Sequence, residues 1–154
     1  MEKISCKEIE KLIVRYVNGA RKNRGISLIK TNIGLRKVAR RHSVNMADSH
    51  HIWHGKGVHL AQTHVSSKGF FETIYLLFFT SKIAGENVAM MLLGKVKGIK
   101  KTLRTSKDIA WQLHKCWMNS PGHKKNILNS NFTRIGVGVK CKYKKFYATE
   151  LFYG

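Results

Sequence analysis

The chain has 154 residues, of which 43% are hydrophobic, and it contains a single proline. This composition excludes a disordered chain and predicts one domain over residues 1–154. Its 29 Lys and Arg residues against 8 Asp and Glu give a formal charge of +21. Such a charge favours anionic partners, and it is equally consistent with a solvated basic surface, because net charge bears on association and not on fold.

The cysteines do not form a metal-binding or redox pattern. There are three, at Cys6, Cys116 and Cys141, with no CxxC pair. An odd number excludes a dense disulfide framework, so we predict free thiols and leave a single bridge open.

The N-terminus lacks the pattern of a signal peptide, because Lys3, Lys7, Lys11 and Arg15 interrupt each apolar run. The longest apolar stretch, residues 70–79, is too short to span a bilayer. We therefore predict no transmembrane segment and a chain that is either not exported or has lost a leader, which leaves a cytoplasmic location open.

The first half of the chain predicts two amphipathic helices. Residues 5–18 carry apolar residues at helical spacing, namely Ile9, Leu12, Ile13, Tyr16 and Val17. A polar loop is predicted over residues 18–31. Asn32 is a plausible N-cap for a second helix that runs to about Asp48. The predicted buried stripe of this helix is Leu35, Val38, Ala39, His42 and Met46, with His42 interpreted as a partnered core histidine.

The middle of the chain has no clear period. A predicted loop carries five histidines: His50, His51, His54, His59 and His64. The apolar run at residues 70–79 is compatible with either a helix or a strand. A basic connection over residues 95–107 follows, with Lys95, Lys97, Lys100, Lys101, Arg104 and Lys107.

The last third predicts a helix and then a hairpin. Ser106 is the predicted cap of a helix with Asp108 in its first turn, and its predicted buried stripe is Ile109, Leu113, Cys116 and Trp117. Pro121-Gly122 ends this helix, and a helical turn is predicted over residues 124–128. Alternation over 135–141 and 146–153 predicts two antiparallel strands joined at 143–144. Trp111, Trp117 and Phe132 are predicted core residues, and Gly136 and Gly138 indicate close packing. The predicted class is α+β.

Two segments carry a resemblance to a known family: AGENVA at 84–89 and WMNSPGHKKNILNSNFTRIGVG at 117–138. Weaker support comes from LRKVARRHSVNMA at 35–47 and VNGARKNRGISLI at 17–29. These segments resemble CAP-superfamily (SCP-like) domains of the prokaryotic SPGH form. The resemblance implies a three-layer α-β-α sandwich with a mostly antiparallel sheet and a central His/Glu cavity.

The resemblance also implies a site. Members often line the cavity with two histidines and two glutamates that can hold a divalent metal. Glu86 matches the glutamate of the first motif and His123 the histidine of the second, and His54 is preferred over His50 and His51 as the other histidine. The position of the second glutamate is held by Ser120, so the tetrad is incomplete. Weakly bound Zn²⁺ or another divalent cation is compatible with this set, and Asn87 and Ser120 are expected to support the cavity.

Three functions remain open from the sequence. The resemblance favours a non-enzymatic binding module for a lipid, glycan or peptide. The second hypothesis is a metal-dependent hydrolase that uses His54, Glu86 and His123. The third is an anion-binding protein that holds acidic lipid or nucleic acid through the basic residues of 95–107 and 140–145. Nucleic acid is least favoured because few aromatic residues lie among them. A Ser120–His123–Glu86 triad is disfavoured because no GxSxG elbow is present. Family members are mostly extracellular.

Overall fold

The computed structural model describes residues 4–54 and 84–154. The order of the elements is α1 (Cys6–Lys22), β1 (Lys30–Thr31), α2 (Ile33–Ser49), β2 (Ala84–Leu92), α3 (Ser106–Asn119), α4 (Pro121–Ile127), β3 (Arg134–Lys142) and β4 (Lys145–Tyr153). His59, His64 and the apolar run at 70–79 lie outside the described residues.

Helix α1 is longer than its sequence pattern predicts. Ser5 caps it by accepting a hydrogen bond from the Glu8 backbone N–H, and Ile9, Ile13 and Val17 are fully buried. The helix continues to Lys22 because the guanidinium of Arg21, in the predicted loop, is buried. It donates to the carbonyls of Ser27, Ile127, Asn129 and Phe132, so tertiary hydrogen bonds extend the helix by a turn.

Helix α2 follows its prediction. The Asn32 side chain accepts from the backbone N–H of Leu35, which confirms Asn32 as the N-cap. Of the predicted stripe, Leu35, Ala39, His42 and Met46 are buried, whereas Val38 is only partly buried. The helix ends at Ser49, and its C-cap residue His50 adopts a left-handed conformation with φ of 59°.

Three local predictions about α3 and α4 are wrong. The cap of α3 is Thr105 and not Ser106, because Thr105 and Asp108 form a reciprocal capping box. Cys116, predicted in the buried stripe, is exposed. Helix α4 begins at Pro121 instead of Lys124, since proline is tolerated in a first helical turn that needs no N–H from it.

The four strands form one sheet in the order β1-β3-β4-β2. β3 pairs antiparallel with β4 and β4 antiparallel with β2, whereas β1 pairs parallel with β3. Tyr143 and Lys144 both have positive φ, which makes the tight turn of the predicted β3–β4 hairpin. The sheet is therefore mostly antiparallel, as the resemblance implies.

The helices cover both faces of the sheet and complete an α-β-α arrangement. α1 and α3 pack together over one face, where the larger core includes the fully buried Trp117. α2 covers the opposite face. Gly136 and Gly138 allow this approach, because a methyl group at either position would collide with the backbone of α2.

The predicted core aromatic residues divide into two groups. Trp117 and Phe132 are buried as expected, and Phe132 stacks on Phe152 at 5.5 Å between ring centroids. The prediction for Trp111 is wrong, since 46% of it is exposed. It lies on the outer side of α3, where Tyr16 contacts it edge-on.

Candidate functional site

The side chain of Glu86 is positioned by strand β2. Pairing of β2 with β4 places Glu86 opposite Leu151 and Asn87 opposite Glu150. Because successive side chains of a strand point to opposite faces, Glu86 faces the α2 side and Asn87 the α3–α4 side. The carboxylate of Glu86 is only 14% exposed.

His54 lies at the carboxylate of Glu86. Its Nδ1 is 3.3 Å from Oε1 of Glu86, at hydrogen-bonding distance. The two alternatives lie elsewhere: the ring of His50 is next to Tyr143, and Nδ1 of His51 contacts the carbonyl of Ser49. The structure thus brings together His54 and Glu86, and the side chain of His54, 58% exposed, opens the cluster to solvent.

His123 completes the group from helix α4. Its ring centroid lies 5.6 Å from that of His54. Its Nδ1 is buried and has no hydrogen-bond partner in the described part of the chain. Burial lowers the pKa of His123, and the nearby charge of His54 lowers it further, so the ring favours its neutral form.

A third histidine, His42, belongs to the same cluster and was not predicted to be part of the site. It is buried and partnered, as expected for a core residue, with Nε2 donating to the carbonyl of Trp53 at 3.0 Å. The same Nε2 lies 3.9 Å from Oε2 of Glu86. The position of His42 on the buried stripe of α2 was the one feature of the sequence that could have indicated its place in the site. Only the fold brings that stripe next to β2.

Asn87 links β2 to α4. Its Nδ2 donates to the carbonyl of His123 at 3.1 Å and to Oε2 of Glu150 at 2.8 Å. Asn126 donates to the carbonyl of Glu86 and to Oδ1 of Asn87. Asn87 therefore fixes the backbone of His123 relative to Glu86, and Glu150, which no sequence motif indicates, anchors the network.

Ser120 lies between α3 and α4. Its side chain does not cap α4, although its carbonyl accepts from the N–H of Lys124. No hydrogen bond joins its hydroxyl to His123 among the described residues, and its support of the cavity stays a prediction.

The residue types in the cluster favour a divalent metal more than their arrangement does. Two imidazoles and a carboxylate are ligands that zinc accepts. However, within residues 4–54 and 84–154 no three His, Cys, Asp or Glu side chains are arranged to hold a metal ion. Glu86 faces His54 at hydrogen-bonding distance, and binding of a divalent cation stays a prediction.

The basic connection before α3 lies at the surface. Lys95, Lys97, Lys100, Lys101, Arg104 and Lys107 are all exposed. Lys101 forms an ion pair with Asp108 at 2.6 Å. Among the described helices, none combines the length and the apolar character that crossing a membrane requires.

Comparison with known proteins agrees with this architecture. The model of the CAP family, described as the cysteine-rich secretory protein family, matches residues 14–153. The Bacillus subtilis protein YkwD is 34% identical over 134 residues, which are 87% of this chain and 43% of YkwD. The chain thus spans less than half the length of this curated relative.

Two solved structures are similar along most of the chain. An outer surface protein from Borrelia burgdorferi is 20% identical with a TM-score of 0.67, and the match covers 99% of this chain and 96% of that one. An extracellular protein of Bacillus anthracis that contains an SCP domain is 27% identical with a TM-score of 0.60, over 95% of this chain and 40% of that one. Together with the family match over residues 14–153, these similarities show that the chain belongs to the CAP family.

Proposed function

We propose that this domain is a non-enzymatic binding module, and that the His54–Glu86–His123 cluster binds the hydroxyl groups of a glycan. The observation that carries the proposal is the contact of 3.3 Å between His54 and Glu86, with the ring of His123 beside it. An ionised carboxylate accepts hydrogen bonds and an imidazole both donates and accepts them. Such a group matches adjacent sugar hydroxyls, which need donors and acceptors side by side.

The polarity of the site favours a glycan over a lipid. His42 and His54 lie near the carboxylate of Glu86, the ring of His123 lies beside His54, and the cluster opens to water through the exposed His54. A lipid chain would need an extended apolar lining, because its binding energy comes from apolar area removed from water. The buried Nδ1 of His123 also supports a polar ligand, since an unpaired buried nitrogen gains a partner on binding.

The alternatives to binding have weaker support. A hydrolase needs an activated nucleophile, and Ser120 makes no hydrogen bond to the ring of His123 among the described residues. A metal-bound water would need a set of ligands that the described side chains do not form. Weak binding of a divalent cation stays a prediction.

The test is titration of the protein with neutral oligosaccharides of hexoses and of N-acetylhexosamines, with the imidazole resonances of His54 and His123 followed by NMR. We expect saturable shifts of both rings, and an affinity about tenfold weaker in Glu86→Gln, because one charge-assisted hydrogen bond to the sugar is lost. His50→Ala is the matched control, because His50 is an exposed histidine beside Tyr143.

Two outcomes contradict the proposal. If neither ring responds to any saccharide but both respond to short peptides or to lipid vesicles, the ligand class is wrong. If the protein with added Zn²⁺ hydrolyses a peptide or ester, and Glu86→Gln abolishes that activity, the domain is an enzyme.

A further inference from the structure

A second candidate site lies at the edge of β3, where α1 and α2 meet. A cavity of about 370 Å³ opens there. Four cationic side chains line it, with Glu10 as the one acid, and the cations are Lys7, Lys11, Arg36 and Arg40. The excess of positive charge makes this cavity suited to an anion.

Glu10 shows how an anion binds at this edge. Its Oε1 accepts the backbone N–H of Val139 at 3.1 Å. Arg40 holds the same carboxylate through Nε at 2.9 Å and Nη2 at 2.5 Å. The carboxylate, although buried, is thus satisfied by one strand N–H and one guanidinium. One turn earlier on α1, the thiol of Cys6 meets the backbone of Cys141 at the same edge.

The pairing of α1 residues with the edge of β3 continues for one more step, but α1 has no acidic residue at that step. Along α1, Cys6 and Glu10 are four residues apart and meet β3 at residues two apart, Cys141 and Val139. The next step pairs Val14 with Val137, and both line the cavity. Valine has no acceptor, so α1 offers no carboxylate at this step.

The backbone of Val137 faces the cavity. Alternate residues of a strand direct their N–H and C=O groups to the same edge. The carbonyl of Ile135 accepts from Asn32 at that edge, and the N–H of Val139 donates to Glu10 there. β1 pairs with β3 only at Arg134 and Ile135, so Val137 lies beyond its end.

The guanidinium that would accompany this N–H is also present. The backbone of Arg36 lies over Gly136 as that of Arg40 lies over Gly138, because one turn of α2 matches two residues of β3, and both arginines line the cavity. In residues 4–54 and 84–154, no ion pair joins Arg36, Lys7 or Lys11 to a carboxylate. Like charges four residues apart on a helix destabilise it slightly, and a bound anion would remove that repulsion.

We propose that this cavity binds the carboxylate of an acidic peptide segment of a partner protein. One oxygen of the ligand carboxylate accepts a hydrogen bond from the N–H of Val137. Arg36 binds this ligand carboxylate in the way that Arg40 binds the carboxylate of Glu10. A glutamate carboxylate is the anion that the chain itself places one step along this edge. A peptide carboxylate also complements the cationic side chains that line the cavity.

The test uses a hexaglutamate peptide at low salt, with backbone amide shifts of the ¹⁵N-labelled protein as the readout. We expect the amide of Val137 to shift with saturation, and the affinity to fall as salt rises. Val14→Glu should weaken binding about tenfold, because the new carboxylate occupies the position of the ligand and pairs with Arg36. Arg36→Gln should weaken it by about the same factor, because it removes a charge-assisted hydrogen bond.

The control is Lys144→Ala, which removes the same charge from the exposed β3–β4 turn and should leave the affinity within about twofold. Circular dichroism of each variant checks that it is folded, and Arg36→Gln tests the proposal if Val14→Glu does not fold. The proposal is overturned if hexaglutamine binds equally well or if Arg36→Gln binds normally. It is also overturned if hexametaphosphate or anionic vesicles shift Val137 more strongly than the peptide does, since the ligand would then be a phosphate.

Discussion

Replacement of Glu150 by glutamine tests the network behind the candidate site. Glu150 is completely buried in β4, with Oε2 accepting from Asn87 at 2.8 Å. Its Oε1 has no hydrogen-bond partner among the described residues. Burial raises the pKa of Glu150 from 4.5 to about 8, although the hydrogen bond from Asn87 opposes the rise. The folded protein therefore holds a neutral carboxyl group at neutral pH.

The magnitude follows from the difference between the folded and unfolded states. Between pH 4.5 and 8 the unfolded state has released this proton and the folded state retains it, so the free energy of unfolding falls as pH rises. Each pH unit is worth about 1.4 kcal/mol. The loss relative to acidic pH is therefore about 3 kcal/mol at pH 7 and reaches its limit of about 5 kcal/mol only above pH 8, where the folded state also ionises. Full burial leaves no solvent screening to reduce it.

The assay is urea unfolding of the wild type and of Glu150→Gln at pH steps from about 4.5 to about 8.5, which span the two pKa values. Glutamine keeps the shape and an oxygen for Asn87 but cannot ionise. We expect similar stabilities at the acidic end and a widening advantage for the variant above it. Glu8→Gln, in the first turn of α1, is the matched control and should show no such widening. A stability difference between Glu150→Gln and the wild type that stays constant over the whole pH range would refute the reasoning.

Three further predictions use the same unfolding assay. Gly138→Ala should destabilise the protein by about 3 kcal/mol or more, because its methyl group meets the backbone of α2. Gly122→Ala has open space around it and should change the stability by less than about 1 kcal/mol. Equal effects of the two substitutions would contradict this packing. Burial lowers the pKa of His114 to about 4, so the free energy of unfolding of the wild type decreases as pH falls from 6.5 towards 4. His114→Met should remove about 2 kcal/mol of that loss, after allowance for partial solvent screening. If the variant loses stability with acid as steeply as the wild type does, this prediction is wrong. Asp108→Asn should lower the free energy of unfolding by about 1–2 kcal/mol at pH 7. Burial opposes ionisation of Asp108, but hydrogen bonds from Lys101, Arg104 and Thr105 hold its pKa at about 2. A loss of stability that persists unchanged at pH 2 would contradict the ionic origin.

Elements defined by neighbouring residues could be predicted with good accuracy. The stripe of Ile9, Ile13 and Val17 and the cap at Asn32 are local features, and the structure contains both. The β3–β4 hairpin could be predicted equally well, because its alternation of apolar and polar residues and its turn lie within about 20 residues. Errors occurred at element ends, as at Thr105 and Pro121, where one hydrogen bond decides the boundary.

The candidate site could be predicted only in part. The two motifs indicated Glu86 and His123, and the structure places both near His54. His42 and Glu150 were missed as members of the network. Their own neighbours in sequence do not show which strand or helix each will face, so no local pattern could assign them.

The sequence by itself determined the three longer helices, the β3–β4 hairpin and the family, because periodicity, caps and motifs are properties of adjacent residues. It did not predict β1 or β2. Only the tertiary structure decided which side chains meet across the sheet. It brings α2 onto Gly136 and Gly138, aligns Glu10 with Val139, and leaves Trp111 at the surface. The physical reason is that these contacts join residues far apart in the chain, and packing of the whole core fixes their distances.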